Sequence, residues 1–366
     1  MDIKVITRHA PSNYGSLLQA IATQTVLERL GHRCEIIDYV RDDEHGLKAV
    51  RTTLKKKPEW NHNILKEAAY IILRYPVEKL AEAKFSKMRK RYLKLTQRFR
   101  IHDEMMSLDA DIFMTGSDQV WGPTLNGSYD SAYFLTFVAN KPIVAYAASF
   151  GKADFPVPTV EKYRQMLSAY SGITVRENRA VALLNEWGVP NYGQVLDPTL
   201  LLDFKIWSDF AEKNFSKHDY ILVYEIHNNP ELDAYAKNFS KNKRLPLIRV
   251  SAILHQISRG GKFVYRPDVK MFLSYIKNCS YLITDSFHGT VFGIIFNKEI
   301  IEVMPNNSTG SRNYSLLQLT GLTGRIVKSA DDFSPADNAI DYGAVNAIIA
   351  RERKTSLDKL QKLLNV

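Results

Sequence analysis

The run Thr284-Asp285-Ser286-Phe287-His288-Gly289-Thr290 holds the side chain best suited to moving a proton. Histidine titrates near neutrality. The apolar stretch 281–283 reads as a strand, and Gly289 reads as the opening of a helix. His288 would then stand at a strand end, beside helix N–H groups that suit an anion. Asp285 is near enough in sequence to orient the ring. Three further polar clusters follow strand-like stretches: Asn13-Tyr14-Gly15-Ser16, Gly116-Ser117-Asp118-Gln119-Val120-Trp121 and Thr174-Val175-Arg176-Glu177. In open α/β sheets ligands gather at the carboxyl ends of strands, so placement counts as much as residue type. Gly15 and Ser16 would offer backbone N–H groups to an anion. Asp118 suits sugar hydroxyls or general-base work, and Arg176 suits bidentate contact with a carboxylate or phosphate. Each cluster also has a structural reading. Asn13 or Ser16 would serve as a plain N-cap, Asp118 as an Asx-type turn, Glu177 as half of an ion pair, and a lone histidine as a packed side chain.

The elements that must hold these clusters alternate in type. Strands are expected at 2–7, 34–40, 111–115, 143–147, 173–175 and 192–196, and again at 220–225, 247–250, 281–284 and 299–303. Apolar residues at helical spacing fall at 15–30, 161–171, 178–187, 231–239, 268–278, 289–296 and 344–364. Gly31 stands where a helix C-cap glycine is expected. Such alternation predicts parallel sheets. The expected fold is α/β, with two Rossmann-like doubly wound domains facing a cleft, residues 1–203 and 204–335. The first carries a basic helical insertion at 45–105, and residues 336–366 form a C-terminal helix.

Bulk properties narrow the function classes. A chain of 366 residues, 45% hydrophobic, is long enough for two cores. Its two cysteines, Cys34 and Cys279, make neither a zinc spacing nor a disulfide framework, and no metal site is expected. No signal-peptide pattern and no span of membrane length stands out, so a cytoplasmic location is expected. The net charge of +10 is concentrated: residues 48–100 hold sixteen Lys/Arg against four Glu, leaving the remainder slightly acidic. That segment reads either as a solvated charged face or as a peripheral dock on an anionic membrane surface. Trp60, Tyr70, Ile71, Ile72 and Leu73 would add interfacial apolar contact. No nucleic-acid-binding pattern accompanies the charge.

The polar clusters, with Ser149–Gly151 (SFG), Asp197–Leu200 (DPTL) and Arg312 ahead of Gly321-Leu322, occur in an order that resembles the polysaccharide pyruvyl transferases. The resemblance runs over roughly residues 13–325. It implies a glycosyltransferase-B-like fold. It also implies transfer of pyruvate from phosphoenolpyruvate to a saccharide acceptor, expected to be lipid-linked, forming a ketal and releasing phosphate. No cofactor is implied. His288 falls on the family's catalytic histidine and Arg176 on an arginine that holds the donor. Some members carry an arginine two residues before that histidine, where this chain has Ser286. Arg312 is the expected substitute. Asn13, Tyr14, Gly15, Ser117, Asp118, Gln119, Asp285, Ser286, Gly289 and Arg312 are the expected substrate contacts. Two alternatives remain at this stage: a glycosyltransferase using nucleotide sugars, and a non-catalytic scaffold of an envelope-polysaccharide complex.

Overall fold

The computed structural model describes residues 1–41, 44–55, 57–124, 128–152, 154–215, 218–305 and 310–365. Lys56 of the basic segment lies outside them. The first sheet is built from β1 (Asp2–Ile6), β2 (Arg33–Tyr39), β3 (Leu95–Phe99), β4 (Ile112–Thr115), β5 (Ile143–Ala148) and β6 (Gly172–Val175). All its pairings are parallel, in the order β3-β2-β1-β4-β5-β6. The second holds β7 (Ile221–Tyr224), β8 (Leu247–Ser251), β9 (Lys262–Tyr265), β10 (Tyr281–Thr284) and β11 (Glu299–Glu302), again parallel, in the order β11-β10-β7-β8-β9. Each order reverses direction between its first and fourth strands, β1/β4 and β7/β10. Such reversal points are where open α/β sheets leave a crevice.

The helices are α1 (Tyr14–Arg29), α2 (Gly46–Lys55), α3 (Ile64–Tyr92), α4 (Val157–Leu167), α5 (Asn178–Glu186), α6 (Pro198–Leu201), α7 (Phe204–Phe210), α8 (Pro230–Lys243), α9 (Val269–Asn278), α10 (Phe287–Ile295), α11 (Ser311–Leu319) and α12 (Tyr342–Leu364). Central strands such as β5 (IVAYAA) and β7 (ILVY) are buried along their whole length, as parallel strands covered on both faces must be. Helix α1 is buried nearly all round, which suits an element held between two sheets. It ends at Gly31, whose φ of +86° a side chain would resist.

One buried cluster runs through both sheets, joining Leu17 and Ile21 of α1 to Val291 of α10 and Leu222 of β7. Tyr14 stacks on Phe272 at 4.2 Å between centroids, a contact worth about 0.5–1.5 kcal/mol beyond its area. Three consecutive residues of the second half bond back to the first. Arg266 donates to Val77 O, Pro267 O accepts from the Tyr14 hydroxyl, and Asp268 accepts from the Tyr92 hydroxyl.

The segment 45–105 is helical through α2 and α3, as expected, but its end forms β3, which pairs with β2. It is therefore an enlarged crossover of the first sheet rather than a detached insertion. The stretch 192–196 is not a strand; only a single bridge joins Val175 to Gln194. The tail helix α12 returns to the first half, where Ser356 Oγ accepts from Leu196 N and Arg353 donates to Leu200 O.

Candidate active site

The turns after β1, β4, β7 and β10 converge. They bring Arg8, Asn13, Ser16, Asp118 and Gln119 from the first half opposite His227, Ser286 and His288 from the second, and α11, which follows β11, adds Arg312 and Asn313 around a cavity of about 170 Å³. Its placement at both strand-order reversals follows from the topology alone.

Helix α10 begins at Phe287, two residues earlier than expected, so His288 lies in its first turn rather than in a loop. Ser286 is the N-cap and accepts from Gly289 N. Likewise Asn13 caps α1, accepting from Gly15 N and Ser16 N. These side chains engage the N–H groups of Gly15, Ser16 and Gly289. The two glycines have another purpose. A Cβ on Gly15 would sit 2.2 Å from His288 Nδ1, and one on Gly289 would sit 2.3 Å from Thr284 Oγ1. Both positions require a bare backbone so that neighbours can close in.

His288 Nε2 is the buried ring nitrogen and lies 3.6 Å from Asp197 Oδ2. The Nδ1 edge is left beside Gly15 and the cavity. The carboxylate at ion-pair distance from the ring is thus Asp197, not Asp285. Asp285 instead accepts from Ile226 N and His227 N and holds the turn after β7. Asp197 caps α6 through Thr199 and accepts from Ser117 Oγ and from Arg176 at 2.9 Å. Burial would raise its pKa, but His288, Arg176 and Thr199 outweigh burial and hold the carboxyl well below the usual range.

Arg176, expected to hold the donor, is not in the cavity wall. Its side chain is 2% exposed and lies behind Phe287, with the guanidinium 4.5 Å from the ring centroid. The arginines facing the cavity are Arg8 and Arg312. Burial, then the nearby Arg176, pushes Arg312 down to about 10. Asp118 sits at φ +75°, a conformation that costs a non-glycine residue energy and recurs at functional sites. It accepts from Ser16 Oγ at 2.9 Å and lies within 4.0 Å of Arg176 and Arg312. Burial acts to raise its pKa, but Arg176, His288, Arg8 and Arg312 together bring it to about 2.

Of the expected contacts, Asn13, Asp118, Gln119, Ser286, His288 and Arg312 line the cavity. Tyr14, Gly15, Ser117, Arg176, Asp285 and Gly289 lie beneath it and position others. Tyr14 is fully buried against Phe272, and Ser117 is buried against Asp197. Sequence reasoning missed Arg8, His227, Asn313 and the role of Asp197, and for Ser16 it expected the backbone N–H where the hydroxyl, donating to Asp118, is what lines the cavity. Arg8 and His227 each follow a strand expected from sequence, the same signal that marked the other clusters. Behind the site, Glu302 accepts from Thr290 Oγ1 and Asn313 Nδ2, and burial lifts its carboxyl to about 8. Among the described residues, no group of three or more His, Cys, Asp or Glu is placed to hold a metal ion.

The sequence matches the family model of the polysaccharide pyruvyl transferases over residues 13–308. The chain belongs to that family. Membership makes it a transferase related to polysaccharide synthesis, with a saccharide as the implied acceptor. No curated protein matches it. Among solved structures, the UDP co-structure of MnaA from S. aureus superposes with a TM-score of 0.51 at 14% identity, covering 100% of this chain and 96% of that one. The UDP-GlcNAc 2-epimerase of Methanocaldococcus jannaschii, in complex with UDP-GlcNAc and UDP, gives 0.50 at 15%, covering 100% and 99%. UGT89C1 of Arabidopsis thaliana gives 0.50 at 10%, covering 99% of each. These likenesses establish the glycosyltransferase-B-like, two-domain α/β fold; fold does not carry chemistry with it.

Proposed function

We propose that this pyruvyl transferase takes phosphoenolpyruvate as donor and closes a pyruvate ketal on two hydroxyls of a saccharide. The observation that carries the reading is His288, with one ring edge toward the cavity, its other nitrogen facing Asp197, and Arg8 and Arg312 beside it. Phosphoenolpyruvate brings a carboxylate and a phosphate, and guanidinium groups suit both. His288 delivers a proton to the methylene carbon, and the adjacent carbon becomes oxocarbenium-like. A sugar hydroxyl attacks that carbon and gives up its proton to the imidazole. The carbon–oxygen bond to phosphate breaks, the second hydroxyl adds to the same carbon, and its proton leaves with the phosphate. Asp118 and Gln119 face the acceptor hydroxyls.

Calorimetric titration with phosphoenolpyruvate, alongside UDP-sugars, tests this. Saturable phosphoenolpyruvate binding is expected, weakened roughly tenfold or more in Arg312→Ala, the scale of a lost charged hydrogen bond. Binding of a UDP-sugar in place of phosphoenolpyruvate would overturn the donor assignment. Retained phosphoenolpyruvate binding without turnover on any acceptor would favour the scaffold.

The finer location is a peripheral seat on an anionic cytoplasmic membrane face, where a lipid-linked acceptor is presented. No helix among the described residues is long and apolar enough to cross a membrane. Helix α3 supports surface seating instead. Its exposed residues are apolar or basic, with Ile64, Leu65, Ile72, Leu73 and Leu80 beside Lys66, Lys79, Lys84, Lys87, Lys90 and Arg91 and no exposed acid. Each basic residue near such a surface adds about 1 kcal/mol. Co-sedimentation with phosphatidylserine vesicles is expected at low salt and is lost in Ile72→Glu/Leu73→Glu. Equal recovery without vesicles rules the seat out.

A further inference from the structure

We propose that His227, held by Asp285, is a second catalytic histidine, giving its proton to the departing phosphate and taking one from the second acceptor hydroxyl. The proposal rests on the pyruvyl-transfer reading. In that reading a proton must pass from the second hydroxyl to the phosphate, while His288 is engaged with the methylene carbon and the first hydroxyl. His227 lines the His288 cavity from the turn after β7, and its side chain is 19% exposed. Its Nδ1 stands 3.2 Å from Oδ2 of Asp285, a carboxylate with no exposed surface. The same carboxylate accepts from Ile226 N at 2.9 Å and His227 N at 3.1 Å, so it fixes the backbone as well as the ring. Asn229 N donates to Glu225 Oε1, and Gln256 donates to Glu225 O, which pins the rest of the turn.

The cavity is thus served by two histidine–carboxylate pairs, built through opposite ring edges. His288 meets Asp197 through Nε2, whereas His227 meets Asp285 through Nδ1. An imidazole that donates from Nδ1 to a carboxylate keeps Nε2 for the proton it exchanges, and the carboxylate steadies the imidazolium. Among the described residues, the other ionisable side chains lining the cavity are Arg8, Arg312 and Asp118. The two guanidinium groups hold their protons too tightly near neutrality, and Asp118, at about 2, has none to give. Placement agrees with this division of labour. His227 follows β7 and His288 follows β10, the strands at the order reversal of the second sheet, so the two residues flank one crevice. In phosphoenolpyruvate the methylene carbon and the bridging oxygen are bonded to the same carbon, and each histidine addresses one of them. As the carbon–oxygen bond breaks, its electron pair stays with the bridging oxygen, which takes the His227 proton and leaves as hydrogen phosphate. The second hydroxyl then bonds to the carbon and returns a proton to Nε2. His227 ends the cycle as it began.

Two substitutions separate charge from proton transfer: His227→Gln removes both, and His227→Arg keeps the charge. Phosphoenolpyruvate is titrated calorimetrically at slightly alkaline pH in two buffers of different ionisation enthalpy, which reads affinity and protons taken up together. The wild type is expected to take up protons on binding, as the phosphoryl group draws one onto His227. Affinity should fall roughly tenfold in His227→Gln, the scale of a lost charged hydrogen bond, and return in His227→Arg. Proton uptake should drop in both. Phosphate release with methyl galactoside as acceptor should fall at least ~10²-fold in both variants. Weakened affinity with wild-type proton uptake in His227→Gln makes the residue merely structural and overturns the assignment. So does wild-type phosphate release in His227→Arg. A wild-type protein that binds no phosphoenolpyruvate overturns the donor reading instead, and His227 loses its role with it.

Discussion

Both halves turn from strand to helix at the cleft in the same way. A short polar residue, Asn13 or Ser286, caps the helix, and a first-turn glycine, Gly15 or Gly289, admits a neighbour. What they hold beyond that differs. In the first half Asp118 is held at about 2 and Asp197 lower, because arginines and His288 outweigh the effect of burial, whereas burial wins at Glu177 and lifts its carboxyl. In the second half Glu302 is lifted to about 8, because burial outweighs its hydrogen bonds from Thr290 and Asn313 and the charge of Asp285 pushes the same way. Asp118 and Asp197 sit in a charged cage to which both halves contribute, while Glu302 sits on a mount of neutral hydrogen-bond donors. Equal burial thus has opposite consequences, depending on what neighbours supply.

The sharpest break of that contrast is His288→Ala, which removes the proton carrier and leaves the cage. Turnover should fall at least ~10²–10⁴-fold, with the circular dichroism spectrum unchanged; near-wild-type rates would end the assignment. Asp197→Asn attacks the cage. It leaves Arg176 buried beside a neutral group, and unfolding in urea should show a loss of about 3 kcal/mol. The sign with pH is fixed by a depressed folded pKa: the stabilisation is present above the unfolded value near 4 and is lost on acidification. The variant should therefore lose less on going to low pH than the wild type. Gly15→Ala tests the join between the halves. Its methyl would displace His288, and a misplacement on the order of 1 Å costs about 10²-fold, seen in kcat with little change in phosphoenolpyruvate affinity. Glu302→Gln has the smallest effect. A raised carboxyl pKa costs stability progressively from about pH 4.5 to 8, so the wild-type melting temperature should drop over that range. The variant's should be flatter over the same range.

Much of the scaffold could be read from the sequence, and the reasons show where reading stopped. Strands β5 and β7 are unbroken apolar runs, as doubly covered parallel strands are. The edge strands β3 (LTQRF) and β9 (KFVY) are polar or half exposed and carry no such mark. The start of α10 was misread because Gly289 looked like an opening, although Ser286 offered the stronger N-cap signal. Every expected site residue stands at or just beneath the cleft, since strand ends are visible in sequence. Which of them face the cavity was not visible. Arg176 is hidden by Phe287, and His288 is matched by Asp197, both contacts between distant parts of the chain. Local sequence carries the element that delivers a side chain but not the neighbour that arrives from the other half.

Gly15 has a further consequence for how this architecture can be inherited. Its backbone touches the imidazole of a residue on the opposite half, so the identity of one residue is dictated by a partner encoded more than half the chain away. The halves are thus not interchangeable parts. A chimera that takes its first half from a relative with any side chain at that position would fold two sound domains and still evict its own histidine. Recombination within such proteins has to move the two helix openings together.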